Sequence, residues 1–227
     1  MRERATALAV ALGLAVVGVA CTGGAEKNVV NQYFNALAAN DTNTLTSFAA
    51  VAFDKKVDDH KIVAVSEETR GPAPLPDLVV SQQELEAALA QNKKDARAWG
   101  NDLEIYPKLD RVRELQKDEK KIPSSLQPIA DKWDEFNTKD RELKAQAADA
   151  KRAVETERRN TRLSVGQREG VDALTGEVIT KNVDLELTID GQAQPYVMGL
   201  RKYELQDDGS GGRMTSRWVV HSLDPAS

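Results

Sequence analysis

The chain has few cysteine and histidine residues, and each shortage excludes a class of protein. Cys21 is the only cysteine, so the chain cannot close a disulfide on itself and has to be stabilised by packing. The two histidines, His60 and His221, are far apart, and no Cys/His cluster has the spacing of metal ligands. The sequence therefore predicts no disulfide scaffold, no metal site and no cofactor, and it offers no pair of residues placed for catalysis.

Charge of one sign is not in large excess either. The chain carries 31 Lys and Arg residues against 36 Asp and Glu, a net charge of −5, which gives no reason to expect nucleic acid as a partner. Residues 81–168 are densely charged but nearly neutral, whereas the rest of the chain after Cys21 is acidic. This uneven distribution predicts two structural units.

The N-terminus has the clearest pattern in the sequence. Arg2 and Arg4 precede a stretch, residues 5–20, that contains no charged residue. The stretch is shorter than the ~20 apolar residues of a transmembrane helix. A short apolar run that follows basic residues and ends in small ones is typical of an export signal. The sequence therefore predicts a signal peptide at residues 1–20.

The end of this segment, Gly18-Val19-Ala20-Cys21, resembles a bacterial lipobox. The resemblance implies that Cys21 is acylated and becomes the mature N-terminus, followed by a tether over residues 21–25. Gly18 stands where that motif prefers Leu. Thr22 stands where some lipoproteins have the Asp that retains them in the inner membrane, so the resemblance implies the outer membrane, facing the periplasm or the cell surface. The alternative is an ordinary signal peptide cut after Ala20.

The rest of the chain predicts an α+β fold. Residues 26–76 and 169–227 form one globular domain, a small antiparallel sheet packed with N-terminal helices, and residues 77–168 form an inserted antiparallel helical hairpin. Hydrophobic periodicity and turn residues predict the elements of the globule. They are helices at 26–39 and 42–49, strands at 60–65, 183–189, 195–205 and 213–223, a connector at 71–76 and a turn at Asp190-Gly191.

The predicted hairpin has three sequence features. A capping box from Ser81 to Glu84 marks its start, and Pro107 predicts a kink or short break in the first helix. After a turn near 120–125, apolar residues continue to about residue 161 at alternate steps of three and four, with Asp140 and Glu157 as polar interruptions. This heptad spacing predicts a coiled-coil-like arm.

The order of elements at the two ends of the chain resembles the nuclear transport factor two-like superfamily, a cone-shaped α+β fold. The resemblance rests on VVNQYFNALAANDTNTLTSF at 29–48 and on YVMGLRKYEL and RWVVHSL between 196 and 223. Residues 81–168 stand where that family normally has a short third helix or strand pair. The resemblance implies either a small-ligand pocket, sometimes catalytic, or a non-catalytic binding or assembly module.

Several residues are candidates for a site in such a domain. Tyr33, Tyr196, Arg201 and Trp218, together with Tyr203, could line a pocket. The alternative is a core whose aromatic tips find hydrogen-bond partners, with Arg201 in an ion pair. His60 is expected at the surface. Strand alternation predicts that His221 faces outward with Arg217 if Trp218 and Val220 face the core.

The helical hairpin supplies the candidates for contact with a partner. Trp99, Trp133 and Phe136 are its aromatic residues with interface character. A basic run near its end consists of Lys151, Arg152, Arg158, Arg159 and Arg162. This run is typical of a solvated helix face, and the alternative is contact with anionic lipid headgroups.

Together these patterns predict a non-catalytic, membrane-anchored envelope lipoprotein whose hairpin contacts a protein partner or self-associates. The first alternative is a small-ligand-binding or enzymatic cone with the hairpin as a lid. The second is a structural spacer with no interface. An open cavity with ionisable residues of shifted pKa would favour the cone, and a domain filled by side chains would oppose it.

Overall fold

The computed structural model describes residues 24–206, 212–214 and 216–226. In these residues the chain is α+β, with one five-stranded antiparallel sheet and several helices, one of them long. The predicted signal peptide, Gly18 and the lipid attachment at Cys21 lie outside the described residues. Within the described ranges, no helix combines the length and the apolar character needed to cross a membrane.

Two N-terminal helices are confirmed, α1 (Ala25–Ala38) and α2 (Thr42–Phe48). Val30, Tyr33 and Phe34 recur at helical spacing on α1, so they share one face and bury it. Asp41 caps α2, since its carboxylate accepts the backbone N–H of Thr44 at 3.0 Å and the Thr44 hydroxyl at 2.6 Å.

The sheet is built around one long hairpin. Its strands are β1 (Asp59–Val65), β2 (Thr69–Pro72), β3 (Thr175–Ile189), β4 (Gln192–Gln206) and β5 (Val219–Pro225), in the order β1-β3-β4-β5 with β2 also on β3. Asp190 and Gly191 both have positive φ, 53° and 73°, as a two-residue turn between twisted strands requires. The turn predicted at Asp190-Gly191 is therefore confirmed. It sets the register of β3 on β4, in which Leu185 pairs with Tyr196.

Several strand limits predicted from the sequence are wrong. β3 begins at Thr175 rather than at residue 183. β2 takes up the first part of the predicted connector at 71–76, and Pro72 is tolerated there because β2 is an edge strand. β5 begins at Val219 rather than at 213, because the backbone N–H of Arg217 binds the carbonyl of Ser164 instead of a neighbouring strand.

Three helices fill the middle of the chain, α3 (Leu75–Gly100), α4 (Tyr106–Lys117) and α5 (Gln127–Ser164), and we call them the helical region. Short 3₁₀ turns at Ser124–Leu126 and Val171–Ala173 flank α5. The capping box predicted at Ser81 is wrong, since α3 begins before it. Pro76 lies in the first turn of α3, where its missing N–H leaves no helical hydrogen bond unmade.

The break predicted at Pro107 is confirmed. α3 ends at Gly100, and Pro107 lies in the first turn of α4. α3 lies against α5, where the buried Asn92 side chain donates to the backbone carbonyl of Phe136 at 3.2 Å. α4 lies against the start of α5, where the amide of Gln116 donates to Asp134 at 3.2 Å.

Both faces of the sheet are partly covered. On the first face, α1 and α2 enclose a core that includes Tyr33, Phe34, Met198 and Leu200. On the second face, the start of α3 and the end of α5 pack with β4 over a smaller core centred on Leu75, Val154, Tyr203 and Leu205. The helical region is therefore attached to the face of the sheet opposite the N-terminal helices.

Candidate functional site

The four residues predicted to line a pocket do not meet in one place. Tyr33, Tyr196 and Trp218 belong to the core on the first face of the sheet, and Arg201 lies on the second face. The Tyr33 hydroxyl donates to the backbone carbonyl of Val51 at 3.3 Å, and burial raises its pKa to about 12. This arrangement agrees with the alternative prediction, a core whose aromatic tips find hydrogen-bond partners.

The other two core aromatics are covered by lysine side chains. The Tyr196 hydroxyl accepts from Lys55 Nζ at 3.1 Å. Lys181 and Lys202 each place Nζ 5.6 Å from the centre of the Trp218 ring. These lysine side chains therefore cover the rings at the edge of the core.

Arg201 takes part in a buried polar network, which consists of Glu157, Arg201 and Tyr203. Arg201 donates to Oε2 of Glu157 at 2.7 Å, and the Tyr203 hydroxyl donates to Oε1 at 2.6 Å. Glu157 is 4% exposed. Burial, and then the negative charge of Glu157, raises the pKa of Tyr203. The network ties the end of α5 to β4 through charge-assisted hydrogen bonds.

Arg217 binds the C-terminal end of α5. Its Nε donates to the Leu163 carbonyl at 2.9 Å, and another guanidinium nitrogen donates to the Ser47 carbonyl at 2.6 Å. The Ser164 hydroxyl donates to the carbonyl of Arg217 at 2.8 Å. A cation at a helix C-terminus is favourable, so Arg217 fixes α5 to α2 rather than facing away as predicted.

The two histidines are more buried than the sequence predicts. His60 is half-buried, stacked on Phe34 with ring centres 4.5 Å apart, and its Nε2 lies 3.1 Å from Asn31 Oδ1. Burial lowers its pKa. The expectation of a surface residue is therefore wrong, because α1 covers β1 at this point.

His221 lies at an irregularity in the pairing of β5. The pairing of β4 with β5 shifts between Gly199 and Leu200, which leaves His221 as a bulged residue. Its ring lies against Gly199, where a Cβ would come within 2.5 Å of Nε2. Burial, and then the charge of Arg201, lowers its pKa to about 4. As predicted, Trp218 and Val220 belong to the first core and His221 lies on the other face, but α5 packs on that face, so His221 is half-buried rather than exposed.

The three aromatic residues predicted to contact a partner make contacts within their own chain. Trp99 and Phe136 pack with ring centres 5.6 Å apart, joining α3 to α5. Arg113 of α4 stacks over the Trp133 ring at 4.3 Å. All three rings are half-buried, so their first role is to hold the three helices together.

The end of the helical region farthest from the sheet, residues 97–136, is called the distal end. It has a core of its own formed by Leu109, Val112, Leu115 and Ala130. Beside this core, Leu103 is 92% exposed and Tyr106 is 54% exposed. At 1.5 Å per residue, Ala130 lies about 36 Å along α5 from Val154. The distal end therefore presents apolar side chains far from the sheet.

In the sequence, Leu103 and Tyr106 follow Trp99 at steps of four and three, the spacing of one helical face. Because α3 ends at Gly100, both fall beyond the helix and leave that face. Pro107 was the available signal, since a helix usually ends at or before the residue that precedes a proline.

The surface carries several cavities. One of about 460 Å³ lies between α1 and the start of α2, and its lining includes Asn28, Asn31 and Asn35. One of about 420 Å³ lies between the end of α1 and residues 53–57. One of about 370 Å³ lies beside Arg158, Arg159 and Arg162. Among the residues that the structure describes, no group of three or more His, Cys, Asp or Glu is placed to hold a metal ion.

Compared with known protein families, curated proteins and solved structures, the chain matches none. The resemblance to the nuclear transport factor two-like superfamily and the lipobox at Cys21 therefore stay predictions from the sequence.

Proposed function

We propose that this chain is a non-catalytic, membrane-anchored envelope lipoprotein whose helical region is an inserted hairpin that contacts a protein partner through its distal end. The observation that carries the proposal is the exposure of Leu103 and Tyr106 beside a separately packed core. Exposed apolar side chains at the tip of an arm are a common feature of protein interfaces.

The attachment of the arm supports the proposal. Glu157, Arg201, Tyr203 and Arg217 fix the end of α5 to the sheet and to α2. The distal aromatics fix α3 and α4 to the start of α5. The base of the arm is fixed to the sheet, and its three helices are fixed to one another. The tip therefore has a defined position, and a partner does not have to order the tip on binding.

The filled core favours an interaction module over a ligand-binding cone. Tyr33, Met198 and Leu200, which lie between α1 and the sheet, have no solvent exposure. The cavity of about 420 Å³ borders this core at Phe34, but it lies on the α1 side of the sheet, opposite the helical region. A hairpin that acts as a lid would have no enclosed ligand to cover there.

Replacing Leu103 by Asp should reduce partner capture about tenfold in a pull-down from envelope extracts, because a charge in an apolar contact has to be desolvated. Leu103 is 92% exposed, so the substitution should leave the unfolding transition unchanged. Val80→Asp is the matched control, an exposed apolar residue on α3 before the distal end. Capture that stays unchanged in Leu103→Asp, or that falls equally in both variants, would contradict the proposed interface.

Replacing Cys21 by Ser should release the exported chain from the membrane fraction, since the acyl chain would lose its attachment atom. Immunoblots of membrane and soluble envelope fractions measure the distribution, with Thr22→Ser as the control that keeps the cysteine. If Cys21→Ser stays in the membrane fraction, the anchor proposal fails, whatever the outcome at Leu103.

A further inference from the structure

Three arginine side chains converge on one cleft at the end of α5 that attaches to the sheet. Arg158, Arg159 and Arg162 line a cavity of about 370 Å³, which Thr46 of α2 closes from the other side. Leu163 and Gln167 complete most of the lining. The lining carries these three guanidinium groups against one carboxylate, that of Glu155, in a chain whose net charge is −5.

One of these arginines is held in place by its own chain. Arg158 donates through Nε and a terminal nitrogen to the two carboxylate oxygens of Asp172, each at 2.7 Å. These hydrogen bonds, and then the charge of Arg158, lower the pKa of Asp172. Such a two-point pair fixes the plane of the guanidinium and so orients its remaining donors.

The other two arginines keep donors that the chain does not use. Arg162 donates to Glu169 at 2.9 Å, but the Glu169 side chain is 88% exposed, so solvent screens that pair. Arg162 Nε is buried and has no hydrogen-bond partner in the described part of the chain. Arg159 is exposed and forms no ion pair with any residue of the described ranges. The exposed guanidinium of Arg159 therefore keeps its donors available to an acceptor in the cleft, and Arg162 shares its own only with the exposed Glu169.

We infer that this cleft binds a phosphate group. The planar fork of guanidinium matches the oxygens of phosphate, and the volume lies in the range of small-ligand sites. Arg158 is neutralised by Asp172, which leaves two guanidinium groups for the ligand. A phosphate monoester, with its charge of about −1.5 to −2 at neutral pH, matches two positive charges better than a single carboxylate does.

Glu155 also lines the cavity and provides a second test, in which a substitution is expected to strengthen phosphate binding. Its carboxylate is 3.9 Å from Lys151, at the limit of an ion pair, and is largely exposed. A negative charge at the edge of an anion site repels the ligand. Removing this charge should therefore strengthen binding, which a general loss of structure would not do.

The experiment titrates inorganic phosphate into the exported chain carrying Cys21→Ser, which has no lipid of its own, and measures binding by calorimetry. The double variant Arg159→Gln, Arg162→Gln should bind about tenfold more weakly, because charge-assisted hydrogen bonds are lost. Glu155→Gln should bind about twofold more tightly. Arg152→Gln removes a positive charge from the same helix outside the cavity, where Arg152 pairs with Asp149, and should bind as the parent does.

Vesicles distinguish the source of the phosphate. Sedimentation with vesicles that contain an anionic phospholipid, compared with vesicles of neutral lipid alone, tests a headgroup as the ligand. Binding of inorganic phosphate that depends on Arg159 and Arg162 supports a soluble phosphate, and vesicle binding with the same dependence supports a lipid headgroup. If neither probe binds, or if Arg152→Gln weakens binding as much as the double variant does, the inference is overturned.

Discussion

Replacing Glu157 by Gln is expected to lower the free energy of unfolding by about 3 kcal/mol, which is ~100-fold in the folding equilibrium. The carboxylate is 4% exposed and accepts hydrogen bonds from both Arg201 and Tyr203. The amide of Gln has one acceptor oxygen, so its NH₂ group has to face a donor on one side. The Arg201 charge then stays half-buried without its counter-ion. Urea denaturation at neutral pH measures the change.

A paired variant separates loss of the ion pair from loss of packing. Adding Arg201→Met to Glu157→Leu removes the unpaired charge and should recover more than half of the stability that Glu157→Leu loses. Glu155→Gln is the control, since that residue is exposed on the same helix two positions earlier and should change stability by less than about 0.5 kcal/mol. A Glu157→Gln variant as stable as the parent would mean that the network contributes no net stability.

Local signals in the sequence were enough for the elements that depend only on near neighbours. The helical spacing of Val30, Tyr33 and Phe34 is sufficient to predict α1, and Asp41, a favourable N-cap residue, marks the start of α2. Asp190 and Gly191 gave the turn of the long hairpin, because few residues other than Gly, Asn and Asp take positive φ there. These features follow from side-chain spacing and backbone sterics, both of which depend only on the identity of neighbouring residues.

The first half of β3 was missed because both of its faces are covered. Ile179 faces the first core, whereas Val178, the residue before it, packs against the second. Burial on both faces removes the alternation of apolar and polar residues by which a half-buried strand is recognised. The second core is formed by α3 and α5, so its effect on β3 could not be predicted before the helices were placed.

Glu157 shows the same limit for the site. Heptad spacing identified it as a polar interruption of an apolar stripe, which is correct for its position on α5. Its partners, Arg201 and Tyr203, are 44 and 46 residues away in the sequence. No local pattern pairs residues at that separation, so the network became visible only with the packing of α5 on β4.

The free energy of unfolding should change with pH because of the titration of His221. Its pKa is lowered to about 4 in the folded chain by burial and by Arg201, against about 6.5 when unfolded. Between these two values the unfolded state binds the proton more readily, so stability rises with pH in this window. The contribution is complete above about pH 6.5 and is lost as the pH falls toward 4. Allowing for the solvent that reaches part of the ring, the loss is about 2 kcal/mol.

His221→Gln removes this titration, so its stability should change less than that of the parent between about pH 7 and pH 4.5. His60, whose pKa is also lowered by burial, contributes with the same sign in both proteins and therefore cancels in the comparison. Glu26, Asp41 and Asp172, whose pKa values are lowered, lose their contributions only at more acidic pH. Equal pH profiles for the two proteins in urea denaturation would show that the His221 ring is already solvated in the folded state. If the free energy of unfolding of His221→Gln changes less with pH than that of the parent, the imidazole of the parent is uncharged in the folded state at neutral pH. The bulge in β5 then holds this neutral ring beside Arg201, against α5 and the sheet.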